Sequence, residues 1–387
     1  MVRTRTRYLD IIMKAIMFFP ITQLIEEVIP LLNKALFFIV LFMMIIQMFK
    51  EGIKKKTFLL YVCTIGEMIL VIFVGGATRY NFNEYFYFPF IIIYFEWVVD
   101  YKEEIVQWFY DNIYFVRGVT RFYLFLVLFA LVLPGAFPYG NLYFKPFGLN
   151  GFRSGPTAVF IFVLCIILMN ILDKQYLFYS IVPFMMLVMG SSRTYMAVGF
   201  LLFMLAWFIF CREKNLRFIL IGIFLVAGAL ILYGMSPSAE KNTELINNAN
   251  TGYWGYWGTI TSGRSVFWAI DMEAFWNSTP FYKIFGHGLN FIYDLNDANR
   301  IGAIWAHNDF IQLLVDFGFL GFFLYLAAFY KVFRKAGFRK NPLIAKAIIV
   351  IIWIFNAFFN MFFTYFCSML CYPLLVIMYS VKEEQIE

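Results

Sequence analysis

Apolar residues run along this chain in long blocks, broken only briefly by polar positions. Ile219 to Leu232 is apolar on every side, whereas a barrel-forming strand alternates apolar and polar positions over about 10 residues. A helix satisfies its own backbone in lipid, so blocks of this length read as membrane-spanning helices. The pattern predicts an all-α polytopic membrane protein. Spans are expected near 11–29, 31–49, 57–76, 85–99, 119–137, 156–172, 175–190, 194–211, 217–235, 307–330, 343–363 and 364–380. That makes about 12 transmembrane helices, with one large loop, 236–306, between the ninth and the tenth. The whole chain, 1–387, reads as a single integral membrane domain. Arg3, Arg5 and Arg7 ahead of an apolar run resemble a signal peptide. No small-residue cleavage site follows, and Glu26, Glu27 and Pro30 lead into the next span, so a retained first helix is expected.

Composition agrees, and charge adds an orientation. At 62% hydrophobic and 14% charged, the chain is excluded from the soluble globular class. With the N-terminus cytoplasmic, most of the 31 Lys and Arg residues fall in inside segments: Arg3 to Lys14, Lys50 to Lys56, Lys102 to Arg121, Lys174, Arg212 to Arg217 and Lys331 to Lys346. This asymmetry places both termini inside and the 236–306 loop on the extracytoplasmic face. The net charge of +7 is therefore topology, and no nucleic-acid partner is implied. The five cysteines lie in or beside apolar spans and read as small hydrophobes. Two histidines, with no C-x-x-C and no H-E-x-x-H, argue against a metal site.

Both histidines, His287 and His307, fall at the far end of the long outer loop. Earlier in that loop, Tyr253, Trp254, Tyr256 and Trp257 alternate with glycines. Such rings stack on the apolar faces of sugars or anchor at lipid headgroups, and both readings stay open. From Ser265 to Asn277 the pattern turns helical, with Phe267, Ile270, Ala274 and Phe275 on one side and Asp271 and Glu273 elsewhere. Arg264 then stands at the start of a helix, where free N–H groups already favour an anion. The plainer alternative is an arginine capping a turn or paired with Asp271 or Glu273.

Arg193 sits in Gly190-Ser-Ser-Arg-Thr-Tyr195 between two apolar spans, with no acidic residue nearby in sequence. A charge at membrane depth raises a functional hypothesis; snorkelling to the headgroups is the alternative. Arg153 lies outside with it. Further on come Phe285-Gly-His-Gly-Leu289, then Asp294, Asp297 and Arg300, then Trp305-Ala-His-Asn-Asp-Phe310 opening a long span. Asn308 or Asp309 is the expected cap, leaving His307 at the mouth. Asp316 follows about 13 Å deeper, and a carboxylate there needs a partner.

Ser191-Ser-Arg193, Gly263-Arg264 with Trp268, Gly286-x-Gly288, and His307-Asn308 followed by Asp316-x-Gly318-x-x-Gly321 resemble the O-antigen ligase and Wzy-type polysaccharide polymerase superfamily. One departure is Asp316, where relatives commonly carry glutamate. The resemblance implies an inverting, metal-independent glycosyltransferase of the bacterial cytoplasmic membrane, with no cofactor. It moves a glycan from a polyprenyl diphosphate to an acceptor hydroxyl on the extracytoplasmic side. On that basis Arg193 and Arg264 are expected to neutralise the diphosphate, and His307 to act as base or to orient the acceptor. His287, Arg300, Asn308, Trp257 and Arg153 are expected substrate contacts. Asp316, Gly286, Gly288, Gly318 and Gly321 are expected supports. The expected partners are a polyprenyl-diphosphate-linked oligosaccharide, membrane lipid and a chain-length regulator protein. Polymerase is the leading expectation. The alternatives are transfer to another acceptor by a ligase and translocation by a flippase or transporter, though no convincing internal repeat favours the last.

Overall fold

The computed structural model describes residues 2–25, 29–52, 55–75, 87–137, 144–148, 151–190, 192–211, 263–288, 291–299, 301–302, 304–336 and 343–381, with four isolated positions, 234, 243, 258 and 261. The described residues form helices and short turns, with no strand among them. In chain order the helices are α1 (Val2–Leu24), α2 (Pro30–Glu51), α3 (Lys55–Gly75), α4 (Tyr87–Asp100), α5 (Lys102–Asp111), α6 (Ile113–Leu131), α7 (Gly151–Ile171) and α8 (Tyr176–Tyr179). They continue as α9 (Ile181–Met189), α10 (Arg193–Cys211), α11 (Arg264–Asn277), α12 (Pro280–Phe285), α13 (Phe291–Ala298), α14 (Asp309–Lys335), α15 (Leu343–Asn360) and α16 (Phe366–Val381).

Six described segments are long and apolar enough to cross a membrane: Leu32–Glu51, Ile113–Leu131, Arg153–Ile171, Arg193–Cys211, Asp309–Lys335 and Leu343–Asn360. Shorter apolar helices cover Thr57–Phe73, Tyr176–Met189 and Phe366–Tyr379. The expected span 217–235 lies outside the described residues, as does most of the loop before Gly263.

Three boundaries differ from those read in sequence. Segment 101–118, read as an inside connection, holds all of α5 and the first turns of α6. Its charged residues Glu103, Glu104 and Asp111 are compatible with helix because Ile105, Val106, Trp108 and Phe109 recur on one buried face. The expected span 175–190 breaks at Ser180 into α8 and α9. The first helix begins at residue 2, so its arginines belong to it.

Two helices form the centre. Helix α4 is buried at nearly every position from Phe88 to Val99, and α7 is enclosed from Ser154 to Met169. Both are apolar all round, which suits helices with neighbours on every side. Helix α7 packs on α16, α9, α10 and α1; α4 packs on α14. The rim shows the opposite distribution. On α3, Phe58, Leu59, Val62, Ile65, Ile69 and Phe73 are exposed, and on α6 so are Phe122, Phe125 and Leu128. In a membrane protein these faces meet lipid hydrocarbon.

Helix α14 is not continuous. Gly318 is non-helical (φ 64°, ψ −168°), which deprives the carbonyls of Val315 and Asp316 of their in-helix donors. The Gly286-His-Gly288 turn supplies replacements: His287 N–H donates to Val315 O at 2.9 Å and Gly288 N–H to Asp316 O at 3.0 Å. A side chain at Gly286 (φ 81°) would collide with the Asp316 carbonyl, and one at Gly318 with the backbone of Ile284 and Gly286. The two glycine motifs thus interlock backbone to backbone. Gly321, one turn on, lies under Phe317 and beside Phe88.

Gly318→Ala is expected to destabilise the protein by more than about 2 kcal/mol, because the left-handed cost adds to a backbone collision. Gly135→Ala, at φ 80° with open space around it, should incur the conformational cost alone. Thermal unfolding of both variants in detergent checks the difference.

Candidate functional site

His307 stands just before Asn308, the cap of α14, and it takes a left-handed backbone (φ 51°). That conformation is costly for a residue with a Cβ, so the surroundings must impose it. They do so from both sides. Asn308 is fully buried and caps α14, its Oδ1 accepting from Phe310 N–H (2.9 Å) and Ile311 N–H (3.2 Å). Just before the histidine, Ala306 N–H donates to Gln312 Oε1 at 3.0 Å, and Ala306 O accepts from the Trp268 indole at 2.5 Å.

The partner that Asp316 requires is Gln312, whose Nε2 donates to the Asp316 carboxylate while its oxygen holds Ala306. One amide therefore links Asp316 to the turn that presents His307. Gln312 is wholly buried, and no motif in the sequence singles it out. Its one legible signal is a lone amide four residues after Asn308 and four before Asp316, on one helical face.

Asp309, also fully buried, accepts from the Tyr325 hydroxyl at 2.5 Å and from Phe363 N–H at 3.3 Å. Trp353 N–H reaches that same hydroxyl at 3.4 Å. The start of α14 is thereby tied to α15 and to the turn before α16.

Arg264 is the first residue of α11, after Gly263 in the left-handed region (φ 84°). Its Nη1 donates to the Phe359 carbonyl at the end of α15. Burial lowers its affinity for the proton, and Arg193 acts in the same direction while the Tyr365 phenol opposes it. Arg193, first residue of α10, is thus within electrostatic range of Arg264. His307 is in range as well: burial first, and Arg264 second, push its pKa down to about 4. Three cationic or basic side chains that are far apart in sequence converge. The histidine among them is held neutral at ordinary pH, with a nitrogen lone pair able to accept a proton.

Arg153 is half-buried near the start of α7, two residues before Gly155. Gly155 lies directly beneath the Tyr195 ring, so this end of α7 abuts the first turn of α10, where Arg193 stands. His287 occupies a different setting. Its ring is stacked between Tyr282 (4.4 Å between centroids) and Phe291 (4.0 Å), and Nε2 meets Ser278 Oγ at 2.6 Å. Both ring faces and one nitrogen are engaged within the protein, and burial lowers its pKa. Arg300, Trp257 and Ser191 lie outside the described residues.

Asp271 corrects the sequence reading of its helix. The apolar pattern puts it away from the packed side, yet it is wholly buried, midway between buried Phe267 and Phe275 in a stripe with a spacing of four. Burial raises its pKa to about 7, partly opposed by Asn296 beside it. A raised folded pKa means that the native state holds a proton the unfolded chain has released between about pH 4 and 7. Stability is then lost as pH rises through that window. Asp271→Asn, which stays neutral, is expected to unfold at a higher temperature than the wild type at pH 8 and at a similar one at about pH 4. Thermal scans at the two pH values check this.

Residues 178–326 match the family described as O-antigen ligase. The matched segment carries Arg193, Arg264, both histidines and both interlocking glycine motifs, and it supports the O-antigen ligase and Wzy-type superfamily. No curated protein matches the chain. Together with its apolar helices, the match supports a multi-pass membrane protein with a glycan-processing function. The O-antigen-ligase-like segment ends inside α14, so Phe359, Phe363 and Tyr365 lie beyond it.

Proposed function

We propose that this chain is a polysaccharide polymerase, making O-antigen, capsule or exopolysaccharide, that transfers a glycan from a polyprenyl diphosphate to the next lipid-linked repeat unit. The observation that carries this function is the convergence of His307, Arg264 and Arg193 at the mouth of α14. In the reaction, an acceptor hydroxyl attacks the anomeric carbon from the face opposite the diphosphate. The new C–O bond forms as the bond to the diphosphate breaks, with inversion. The polyprenyl diphosphate leaves with the bonding electron pair, and its charge falls to Arg264 and Arg193. The acceptor proton passes to the neutral His307 imidazole. With a diphosphate bound, Arg264 is partly neutralised, so the histidine becomes a stronger base when substrate is present.

Arg153 at the adjoining end of α7 is proposed to extend the cationic surface toward the substrate. Asn308 holds the turn, and Arg300 and Trp257 are proposed glycan contacts. His287, expected from sequence to touch substrate, has both ring faces and Nε2 engaged within the protein and is proposed instead to brace the Gly286–Gly288 turn. The protein is proposed to act in the bacterial cytoplasmic membrane as one domain of about 12 spans. Both termini then face the cytoplasm and the site faces outward, alongside a chain-length regulator protein. Ligase transfer to another acceptor uses the same donor chemistry, and the products separate the two. Loss of a polymerase leaves single repeats, lipid-linked or capped, whereas loss of a ligase strands long chains on the carrier. Accumulation of long lipid-linked chains in a deletion strain would overturn polymerisation.

A further inference from the structure

The turn between α15 and α16, Asn360 to Thr364, is nearly apolar in sequence, yet the stretch from Phe359 to Tyr365 that contains it meets the site at three residues. Phe359 gives its carbonyl to Arg264. Phe363 donates its N–H to Asp309, two residues from His307, and the Phe363 ring meets Trp305 edge-on with centroids 6.5 Å apart. Met361 takes a left-handed backbone (φ 61°), the tight turn Phe362–Thr364 follows, and the chain emerges at the half-buried Tyr365. The Tyr365 ring stands at 84° to that of Tyr195, centroids 6.2 Å apart. Tyr195 is fixed in turn over Gly155 and lies two residues after Arg193 on the first turn of α10. The Tyr365 phenol is also within electrostatic range of Arg264. The ring therefore packs against the first turn of the helix that bears Arg193, and it belongs to the same stretch of chain whose Phe359 carbonyl holds the guanidinium of Arg264.

We propose that Tyr365 is a donor-binding residue, its phenolic O–H donating a hydrogen bond to a phosphate oxygen of the lipid-linked diphosphate beside the two guanidiniums. This rests on the diphosphate chemistry proposed above and extends it to a residue outside the family-matched segment. Arg264 already spends one N–H on the Phe359 carbonyl, which leaves fewer of its donors for phosphate oxygens. A neutral donor fills that gap without the repulsion that a third cation would add to Arg193 and Arg264. A phenol on a ring held by Tyr195 also loses little rotational freedom on binding.

The test uses the full-length protein in nanodiscs and farnesyl diphosphate, a short polyprenyl diphosphate without sugar, as the probe. Tyr365→Phe keeps the ring and its contact with Tyr195 and removes only the hydroxyl. It should weaken farnesyl diphosphate binding about tenfold, the range for a hydrogen bond to a charged group, with no change in thermal unfolding. Tyr365→Gln, which keeps a donor without the ring, should bind more tightly than Tyr365→Phe. Wild-type affinity in Tyr365→Phe alongside a loss in Arg264→Ala overturns the assignment of Tyr365 alone. Equal losses in the Phe and Gln variants also overturn it, because donation would not be the cause. Wild-type affinity in Arg264→Ala would instead remove the diphosphate function on which the assignment rests.

Discussion

Arg264→Ala should lower the rate of glycan transfer by about 10²–10³-fold, the range for removing a preorganised donor from a developing anion. The diphosphate leaves with negative charge, and a guanidinium keeps its proton through the reaction even where burial and Arg193 disfavour it. The placement is set by α11: Gly263 turns the chain in the left-handed region, so Arg264 enters on the first helical turn. There Thr261 takes the N–H groups of Arg264 and Ser265, and Gly263 O takes that of Val266, leaving the guanidinium to meet the anion. Its bond to Phe359 also ties α11 to α15, so truncation costs some stability as well. Arg264→Lys separates the two effects. It keeps the charge and loses the planar fork, and should retain more activity than alanine but well below wild type. Turnover of a lipid-linked repeat by purified variants, compared with their thermal unfolding, checks both.

His307→Ala should cost about 10²–10⁴-fold in turnover, the contribution of a positioned general base. The pH profile distinguishes that role from mere positioning. Burial and the Arg264 charge both disfavour the imidazolium, so the free enzyme's histidine takes its proton only near pH 4. The required form is neutral. Hence kcat/KM should hold from neutral pH down to about 5 and fall as pH drops through about 4. In the substrate complex the diphosphate offsets Arg264, which raises the imidazole pKa. The acid limb of kcat should therefore lie at higher pH than that of kcat/KM. His307→Ala should abolish this limb. A kcat/KM limb near the unperturbed value of about 6.5 would contradict the buried, arginine-facing setting.

What the sequence made legible is what depends on local pattern. Apolar blocks announced α2, α6, α7, α10, α14 and α15, and Asn308 or Asp309 ahead of a long span announced a cap, which Asn308 supplies. Arg264 at a helix start followed from the helical spacing of Phe267, Ala274 and Phe275. The break at Gly318 was not legible. A glycine within an apolar run looks like any other until the Gly286-His-Gly288 turn is seen to take the carbonyls it frees. Asp271 misled for a related reason: a charged residue is assigned to the polar side, and only tertiary packing shows a stripe of four-residue spacing passing through it.

Gln312 and the turn at Asn360 to Thr364 escape sequence reasoning because their roles lie in long-range contacts. Gln312 connects Asp316 to Ala306, and Phe359 and Phe363 act through main-chain groups that carry no side-chain signature. The convergence of Arg193, Arg264 and His307 was implied by resemblance. The helix ends that bring them together come from packing of α10 on α15 and of α11 on α14.

The most direct measurement reconstitutes the purified protein in liposomes with a synthetic polyprenyl-diphosphate-linked repeat unit. New glycosidic bonds and released polyprenyl diphosphate are then counted in the same sample. One polyprenyl diphosphate should be released for each bond formed, with both signals lost together in His307→Ala and Arg264→Ala. Substrate crossing the bilayer with no bond formed, or normal polymerisation by either variant, would contradict a polymerase driven by these residues.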